Sequence, residues 1–104
     1  MYPRLTKSGW ESLKKEKPTM SAFTSIGSLK VYKSTDKTKI SVVVSSKQEK
    51  TAVKRNLLKR RGYVVLNKLV LNKGVYIFFP SKKAYNSSFL DIKEAIAVLY
   101  EKTR

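Results

Sequence analysis

The sequence contains no cysteine and no histidine among its 104 residues. Without cysteine there is no disulfide framework, no thiolate nucleophile and no cysteine-ligated metal. The lack of histidine removes the usual general base and the commonest zinc ligand. No apolar run approaches the ~20 residues that a membrane-spanning helix needs, and the first residues lack the apolar core of a secretion signal. We therefore expect a cytoplasmic protein.

Acidic residues are also scarce, with seven Asp and Glu against 23 Lys and Arg, which gives a formal net charge of +16. Between Lys50 and Leu90 there are ten basic residues and no acid. No two carboxylates have the spacing of an acid–base pair, so we expect no catalysis by the protein's own side chains. Such self-repulsion predicts a polyanionic partner, with nucleic acid as the first choice and an anionic membrane surface as the second.

Apolar residues make up 41% of the chain, which predicts a folded protein rather than a disordered tail. The length fits a single domain over residues 1–104. Periodicity and capping residues predict a helix from a Ser8 cap to about residue 17, strands near 21–25, 28–33 and 39–45, a helix from 52 to about 67, a strand at 75–79 and a helix capped by Ser88. These elements indicate an α+β sandwich.

The predicted strands show which side chains share a face. Because strand side chains alternate, Lys30 and Tyr32 point away from the face that carries Leu29 and Val31. Residues 34–37 are typical of a hairpin connection. The nearly all-apolar strand at 75–79 is typical of a strand covered on both faces, paired in parallel through the helix before it.

The central helix carries most of the basic residues, and we expect it to have two sides. One arc would pack on a core and consists of Val53, Leu57, Leu58, Val64, Val65 and Leu69. The opposite arc would be exposed and consists of Arg55, Asn56, Lys59, Arg60, Tyr63 and Asn67. Thr51 is expected to cap the helix with its hydroxyl, and Gly62 favours a kink or an early end.

A basic helix surface of this kind can neutralise several phosphates, with asparagines contacting sugars or bases between them. On the sheet, Lys30 and Tyr32, flanked by Phe23 or Trp10, could stack unpaired bases as single-strand binders do. Burial in the core is the competing interpretation for each of these aromatic residues, above all for Trp10.

Residues 42–61 read VVVSSKQEKTAVKRNLLKRR and closely resemble a segment of the bacterial ribonuclease P protein component. The family pattern is a strand ending in Ser-Lys-Lys, a short loop, and then Ala-Val-x-Arg-Asn-Arg-x-x-Lys-Arg. The matching positions are Ser45, Lys47, Ala52, Val53, Arg55, Asn56, Lys59 and Arg60. Three further segments follow the family's order: LTKSGWESLKK, GVYIFFPSKKA and FLDIKEAIAVLY.

The resemblance implies a two-layer α/β sandwich of the ribosomal-protein-S5-like type, in the order α-β-β-β-α-β-α, with a left-handed βαβ crossover. It also implies the small protein subunit of a ribonucleoprotein endonuclease that removes the 5′ leader from precursor tRNA. In that complex the catalytic RNA performs the hydrolysis with magnesium, which is bound mainly by the RNA. The protein contributes affinity for the leader and helps to hold the RNA.

Carried over to this sequence, the resemblance implies two sets of binding residues. The surface toward the catalytic RNA would be formed by Lys47, Lys50, Arg55, Asn56, Lys59, Arg60, Arg61 and Tyr63. The cleft for the precursor-tRNA leader would be formed by Trp10, Phe23, Lys30 and Tyr32. Two positions depart from the family pattern: Leu57 replaces the second Arg of Arg-Asn-Arg, and Tyr63 stands where a basic residue is usual.

Other functions fit parts of the same evidence. A generic basic RNA-binding or ribosomal protein, without a role in tRNA processing, would explain the charge and the fold class equally well. A DNA-binding protein would place the basic helix in a major groove, usually as a dimer, and nothing in the sequence indicates a dimer. Membrane-surface binding would need the apolar arc of the helix, which we assign to the core. We therefore expect neither DNA nor a membrane as partner.

Overall fold

The computed structural model describes residues 2–33 and 37–103, and its elements follow the predicted order α-β-β-β-α-β-α. They are α1 (Lys7–Leu13), β1 (Met20–Phe23), β2 (Gly27–Tyr32), β3 (Lys39–Val42), α2 (Ala52–Lys68), β4 (Val75–Pro80) and α3 (Phe89–Thr103). A short 3₁₀-helix, Lys82–Asn86, lies between β4 and α3. In the described part of the chain, no helix has the length and apolar character needed to cross a membrane.

The four strands form one mixed sheet in the order β1-β2-β4-β3. β4 pairs antiparallel with β2 and parallel with β3, and α2 connects β3 to β4. The predicted parallel pairing through the central helix is therefore confirmed. Both faces of β4 are buried, because an all-apolar strand is most stable at the centre of a covered sheet.

The prediction that residues 34–37 form a hairpin between two neighbouring strands is wrong. Residues 34–36 lie outside the described part of the chain, but the strands on either side are not adjacent, since β4 lies between β2 and β3. The composition of this segment indicates only that the chain turns there. The position of β4 between β2 and β3 depends instead on the burial of both its faces.

The two faces of the sheet are covered unequally. One face packs against α2 and α3 and forms the main core, whose fully buried side chains include Leu29, Ile40, Phe78, Leu66, Ile92, Ile96 and Leu99. On the other face α1 covers only part of the sheet, with Leu13 packed on Val75 and Ile77. The rest of this second face, here called the open face, carries Ser21, Phe23, Ser28, Lys30, Tyr32 and Phe79.

The apolar side of α2 differs from the predicted arc. Leu58 and Val65 are buried as expected, but Val53, Leu57 and Val64 are exposed. The buried side consists of Leu58, Gly62, Tyr63, Val65 and Leu66. Leu58, Gly62, Val65 and Leu66 follow the spacing i, i+4, i+7, i+8 of a core-facing helix. The predicted arc was displaced because it was centred on the valines and leucines and left Gly62, which has no side chain, out of the core-facing side.

Gly62 lies directly against the sheet, and α2 continues through it to Lys68 without interruption. An ideal Cβ at this position would lie 2.8 Å from Cγ2 of Val42 on β3. Because real side chains do not approach so closely, only glycine lets α2 pack at this distance from the sheet.

The helix ends show which capping predictions hold. Ser88 accepts a hydrogen bond from the Asp91 N–H at 3.2 Å, which confirms it as the cap of α3. α1 is capped by Thr6, which accepts from the Gly9 N–H at 3.3 Å, and not by Ser8 as predicted. α2 begins after Thr51 as predicted, but the Thr51 hydroxyl makes no capping hydrogen bond.

Candidate nucleic-acid interface

The connection from β3 to α2 is held by hydrogen bonds at both of its ends. Near β3, the Ser45 N–H donates to the hydroxyl oxygen of buried Tyr85 at 2.9 Å, and that hydroxyl donates to Oε1 of Gln48 at 3.2 Å. Near α2, Nη1 of Arg55 donates to the Glu49 carbonyl oxygen at 2.8 Å. A connection held in this way presents its side chains from a fixed backbone.

Lys47 and Lys50 are both exposed on this connection, as predicted. Arg55 is half-buried and bonded to the backbone before α2, so its role in the structure is partly to fix the connection. The Glu49 carboxylate accepts a hydrogen bond from the Thr51 N–H at 3.0 Å, which fixes the backbone just before α2.

The pKa of the Glu49 carboxyl is lowered from its ordinary value of 4.5, mainly by the Thr51 N–H, with Lys54 and Arg55 contributing. Because the pKa is lower in the folded chain, the ionised group stabilises the fold at neutral pH. This contribution is lost as the pH falls below 4.5 and through the folded value. We expect an NMR titration of the Glu49 carboxyl carbon to show a midpoint below 4.5, and a midpoint at or above it would contradict the contact. Glu49→Gln should remove the matching response of the Thr51 amide.

Along α2, Asn56, Lys59 and Arg60 are exposed, as the predicted interface requires. They lie within two turns of one another and continue the basic surface that begins at Lys47 and Lys50. No acid of the described chain forms an ion pair with them. This surface is referred to below as the basic surface.

Two residues of the predicted RNA-binding set lie elsewhere. Arg61 is half-buried, and its Nη1 donates to the Ser87 carbonyl oxygen at 3.4 Å, on the side of α2 that faces the 3₁₀-helix. Tyr63 is only 7% exposed, so its placement on the exposed arc is wrong. The guanidinium carbon of Arg4 covers the Tyr63 ring, 3.9 Å from its centroid. Arg4 therefore covers a ring that was expected to be exposed and to contact the RNA.

A groove of about 500 Å³ runs from α2 across β3 to α1. It is lined by Leu5, Trp10, Ser41, Val42, Val43, Val44, Lys59, Tyr63 and Phe79. Lys59 lies at its α2 end, while Trp10 and Phe79 lie at the end that reaches the open face. The groove therefore connects the basic surface with the open face of the sheet.

The four residues predicted to bind a leader all lie on the open-face side of the sheet. Lys30 and Tyr32 are half-buried there, and Phe23 is 79% exposed, which excludes core burial for Phe23. Trp10 is half-buried and meets the Phe79 ring edge-on, with centroids 6.5 Å apart and an interplanar angle of 76°. Core packing and ligand contact therefore remain compatible for Trp10 and Tyr32.

A profile of the ribonuclease P family matches residues 6–104. The chain belongs to this family. The resemblance seen in residues 42–61 to the bacterial ribonuclease P protein component is thereby confirmed, and the match extends over nearly all of the chain.

Solved structures give the same fold. The chain is similar to the Staphylococcus aureus RNase P protein, with a TM-score of 0.75 and 18% identity over 97% of this chain and 94% of that one. It is also similar to a mutant of that protein described as defective in mRNA degradation activity, with a TM-score of 0.79 and 17% identity over 96% and 86% of the two chains. No curated protein has a sequence that matches this chain.

Two residues of the site in this ribonuclease P family member were not identified from the sequence. Phe79 lies on the open face beside Trp10, and Lys30 places its Nζ 5.2 Å from the Phe79 ring centroid. Strand alternation places Phe79 and Phe78 on opposite faces of the sheet, but in an all-apolar run the sequence does not show which face is open. Arg4 had no local signal, because it reaches Tyr63 through a contact between residues 59 positions apart.

Residues 2–33 and 37–103 contain no group of three or more Asp, Glu, His or Cys side chains that could hold a metal ion. We assign no side chain as a magnesium ligand.

Proposed function

We propose that the chain is the ribonuclease P protein subunit that binds the catalytic RNA and the 5′ leader of precursor tRNA. In this role it supports the magnesium-dependent removal of the leader by the RNA. Membership of the family supports the subunit assignment. The observation that carries the two binding roles is the groove that joins the basic surface of α2 to the open face of the sheet.

The basic surface suits the catalytic RNA. Lys47, Lys50, Lys59 and Arg60 are exposed cations on a fixed connection and a packed helix, so they can neutralise phosphates from a backbone that is already ordered. Asn56 lies between them and can hydrogen-bond a sugar or a base edge. Arg55 and the Glu49 carbonyl oxygen hold the two parts of this surface together.

The open face suits a single-stranded leader. It offers an exposed aromatic ring at Phe23, further rings at Tyr32 and Phe79, and a cation at Lys30. Single-strand binders combine aromatic stacking with backbone-neutralising cations in this way. A strand that leaves the basic surface reaches these rings through the groove, past Trp10.

Magnesium and the hydrolytic step belong to the RNA component in this proposal. The protein's role is to bind and orient the two RNAs, and no step is assigned to its carboxylates. We place the complex in the cytoplasm, with neither DNA nor a membrane as partner.

Cleavage of precursor tRNA by a bacterial ribonuclease P RNA at low magnesium tests this proposal. We expect added protein to lower the magnesium requirement and to favour precursor over mature tRNA. Unchanged cleavage, together with equal affinity for unrelated RNAs, would replace the proposal with generic RNA binding. A generic RNA-binding protein would bind RNA through all of its exposed cations, including those on α3 such as Lys93 and Lys102.

Phe23→Ala is expected to weaken binding of precursor tRNA by about 1–3 kcal/mol, the usual contribution of one base stacked on an aromatic ring. Binding of mature tRNA and thermal stability should not change, because the ring is 79% exposed. Fluorescence titrations of the holoenzyme with both tRNAs measure the difference.

Leu90→Ala serves as the matched control for Phe23→Ala. It removes another exposed apolar side chain, 59% exposed on α3, which packs on the opposite face of the sheet. Equal losses in the two variants, or an equal loss for mature tRNA in Phe23→Ala, would show that the open face does not bind the leader.

A further inference from the structure

Residues 2–5, here called the N-terminal segment, precede the part of the chain that the family profile matches, yet they are firmly attached to the fold. The segment runs beside the outer edge of β3 and pairs with it in parallel at Ile40. The Ile40 N–H donates to the Pro3 carbonyl oxygen at 3.0 Å, and the Leu5 N–H donates to the Ile40 carbonyl oxygen at 2.9 Å. Arg4 is therefore held between two backbone hydrogen bonds.

Tyr2 fixes the segment to α2 as well. Its N–H donates to Oδ1 of Asn67 at 2.8 Å, and its hydroxyl donates to the Leu69 carbonyl oxygen at 2.6 Å. The same hydroxyl accepts from the Leu71 N–H at 2.9 Å. The segment is thus attached to both the sheet and the C-terminal end of α2.

The guanidinium of Arg4 lies over the ring of Tyr63 on α2. The guanidinium carbon lies 3.9 Å from the centroid of the Tyr63 ring, while the residue as a whole is exposed. Within the described chain it makes no hydrogen bond or ion pair with another side chain. A guanidinium stacked on a ring keeps its N–H edge free, so Arg4 presents several unpaired donors to solvent.

The surroundings of Arg4 indicate an anion as the missing partner. Lys59 precedes Tyr63 by one helical turn and lies at the mouth of the groove, and Arg60 is exposed beside it. Three cations on adjoining surfaces, with no acid among them, repel one another, and a bound anion would relieve that repulsion. The planar fork of arginine matches phosphate oxygens better than a point charge does.

We propose that Arg4, stacked on Tyr63, binds an RNA phosphate beside Lys59 and extends the basic surface of α2 onto the N-terminal segment. The inference rests on the proposed function, since it names an additional residue of the same RNA interface. Tyr63 acts as the platform that keeps the guanidinium in place, so less conformational entropy is lost when the phosphate binds.

Arg4→Ala tests the inference by titration of a bacterial ribonuclease P RNA with the full chain. We expect the affinity to fall about tenfold, as for one charge-assisted hydrogen-bonded contact. The slope of log K against log salt should become shallower by about 0.7–0.9. Lys93→Ala, which removes an equally exposed charge from α3, should change neither quantity by a comparable amount.

Variants at Tyr63 separate the platform from the charge. Tyr63→Leu should weaken RNA binding in the presence of Arg4 but have little further effect in Arg4→Ala, because both variants remove the same contact. Arg4→Lys keeps the charge without the planar fork and should recover only part of the affinity.

The outcomes distinguish this inference from the proposed function. Equal affinity and salt slope for Arg4→Ala and Lys93→Ala, with wild-type protein binding the RNA specifically, would overturn the role of Arg4 alone. Wild-type protein that binds unrelated RNAs equally well would overturn the proposed function itself. The melting temperature of Arg4→Ala should match that of the wild type. If it is lower, Arg4→Lys provides the test instead, because full RNA affinity in that variant would show that the planar guanidinium is not needed.

Discussion

Lys59→Ala combined with Arg60→Ala is expected to weaken binding of the ribonuclease P RNA by about 2–4 kcal/mol, which is roughly 30- to 1,000-fold. Both side chains are exposed, and each supplies a cation to the basic surface. Arg55 is a less suitable target, because its guanidinium also holds the Glu49 carbonyl oxygen and its loss would disturb the connection before α2.

The salt dependence of this double variant is a second measure of the same contacts. If each cation meets one phosphate, the slope of log K against log salt should decrease in magnitude by about 1.4–1.8 for the two together. The melting temperature should stay at the wild-type value, because neither side chain contributes to the core.

The matched control is Lys93→Ala with Lys102→Ala, which removes the same charge from exposed positions of α3. A loss equal to that of the α2 variant would mean that net charge, and not the basic surface, determines affinity. A large fall in melting temperature for Lys59→Ala with Arg60→Ala would show that this side of α2 contributes to the core.

Gly62→Val is expected to destabilise the fold by about 3 kcal/mol, because the new side chain must enter the space that Val42 already fills. The nearest atom to an ideal Cβ, Cγ2 of Val42, belongs to a stiff β-branched side chain that is 3% exposed. At about 4–8 °C for each kcal/mol in a domain of this size, thermal denaturation measures the change readily. Gly62→Ala should be destabilising too, although alanine is the better helix former.

Two comparisons make the Gly62 prediction specific. Val42→Ala should reduce the cost of Gly62→Val, so that the double variant is less destabilised than the sum of the single variants. Gly9→Ala in α1 should be neutral or slightly stabilising, since the nearest atom to its Cβ is the mobile Cδ1 end of Leu5, at 2.6 Å. Strict additivity at Gly62 and Val42 would contradict the close contact.

Local patterns in the sequence predicted much of the fold. The Ser88 cap and the parallel pairing of β3 with β4 each depend on a short stretch whose residues favour a single local structure. The hairpin at 34–37 failed, because a turn composition states only that the chain bends. Which strand lies beside β2 is decided by burial of the apolar strand β4 between two neighbours.

The positions of the candidate site residues in the fold were also predictable only in part. The exposure of Lys59 and Arg60 follows from their charge, and the face shared by Lys30 and Tyr32 follows from strand alternation. The burial of Tyr63 did not follow from the helix period, because the residue that covers it comes from the N-terminal segment. A contact between residues far apart in the sequence produces no hydrophobic periodicity in either segment, so it cannot be predicted from such a pattern.

The central position of β4 also governs when this protein can first fold during its synthesis. β2 and β3 belong to one sheet only through β4, which pairs with both, so residues 75–80 must leave the ribosome before the sheet can close. Until then α2, which carries the basic surface, has only part of the sheet on which to pack. A nascent chain that ends before β4 is therefore expected to lack a fixed basic surface, so the proposed RNA interface should form only after β4 has been synthesised.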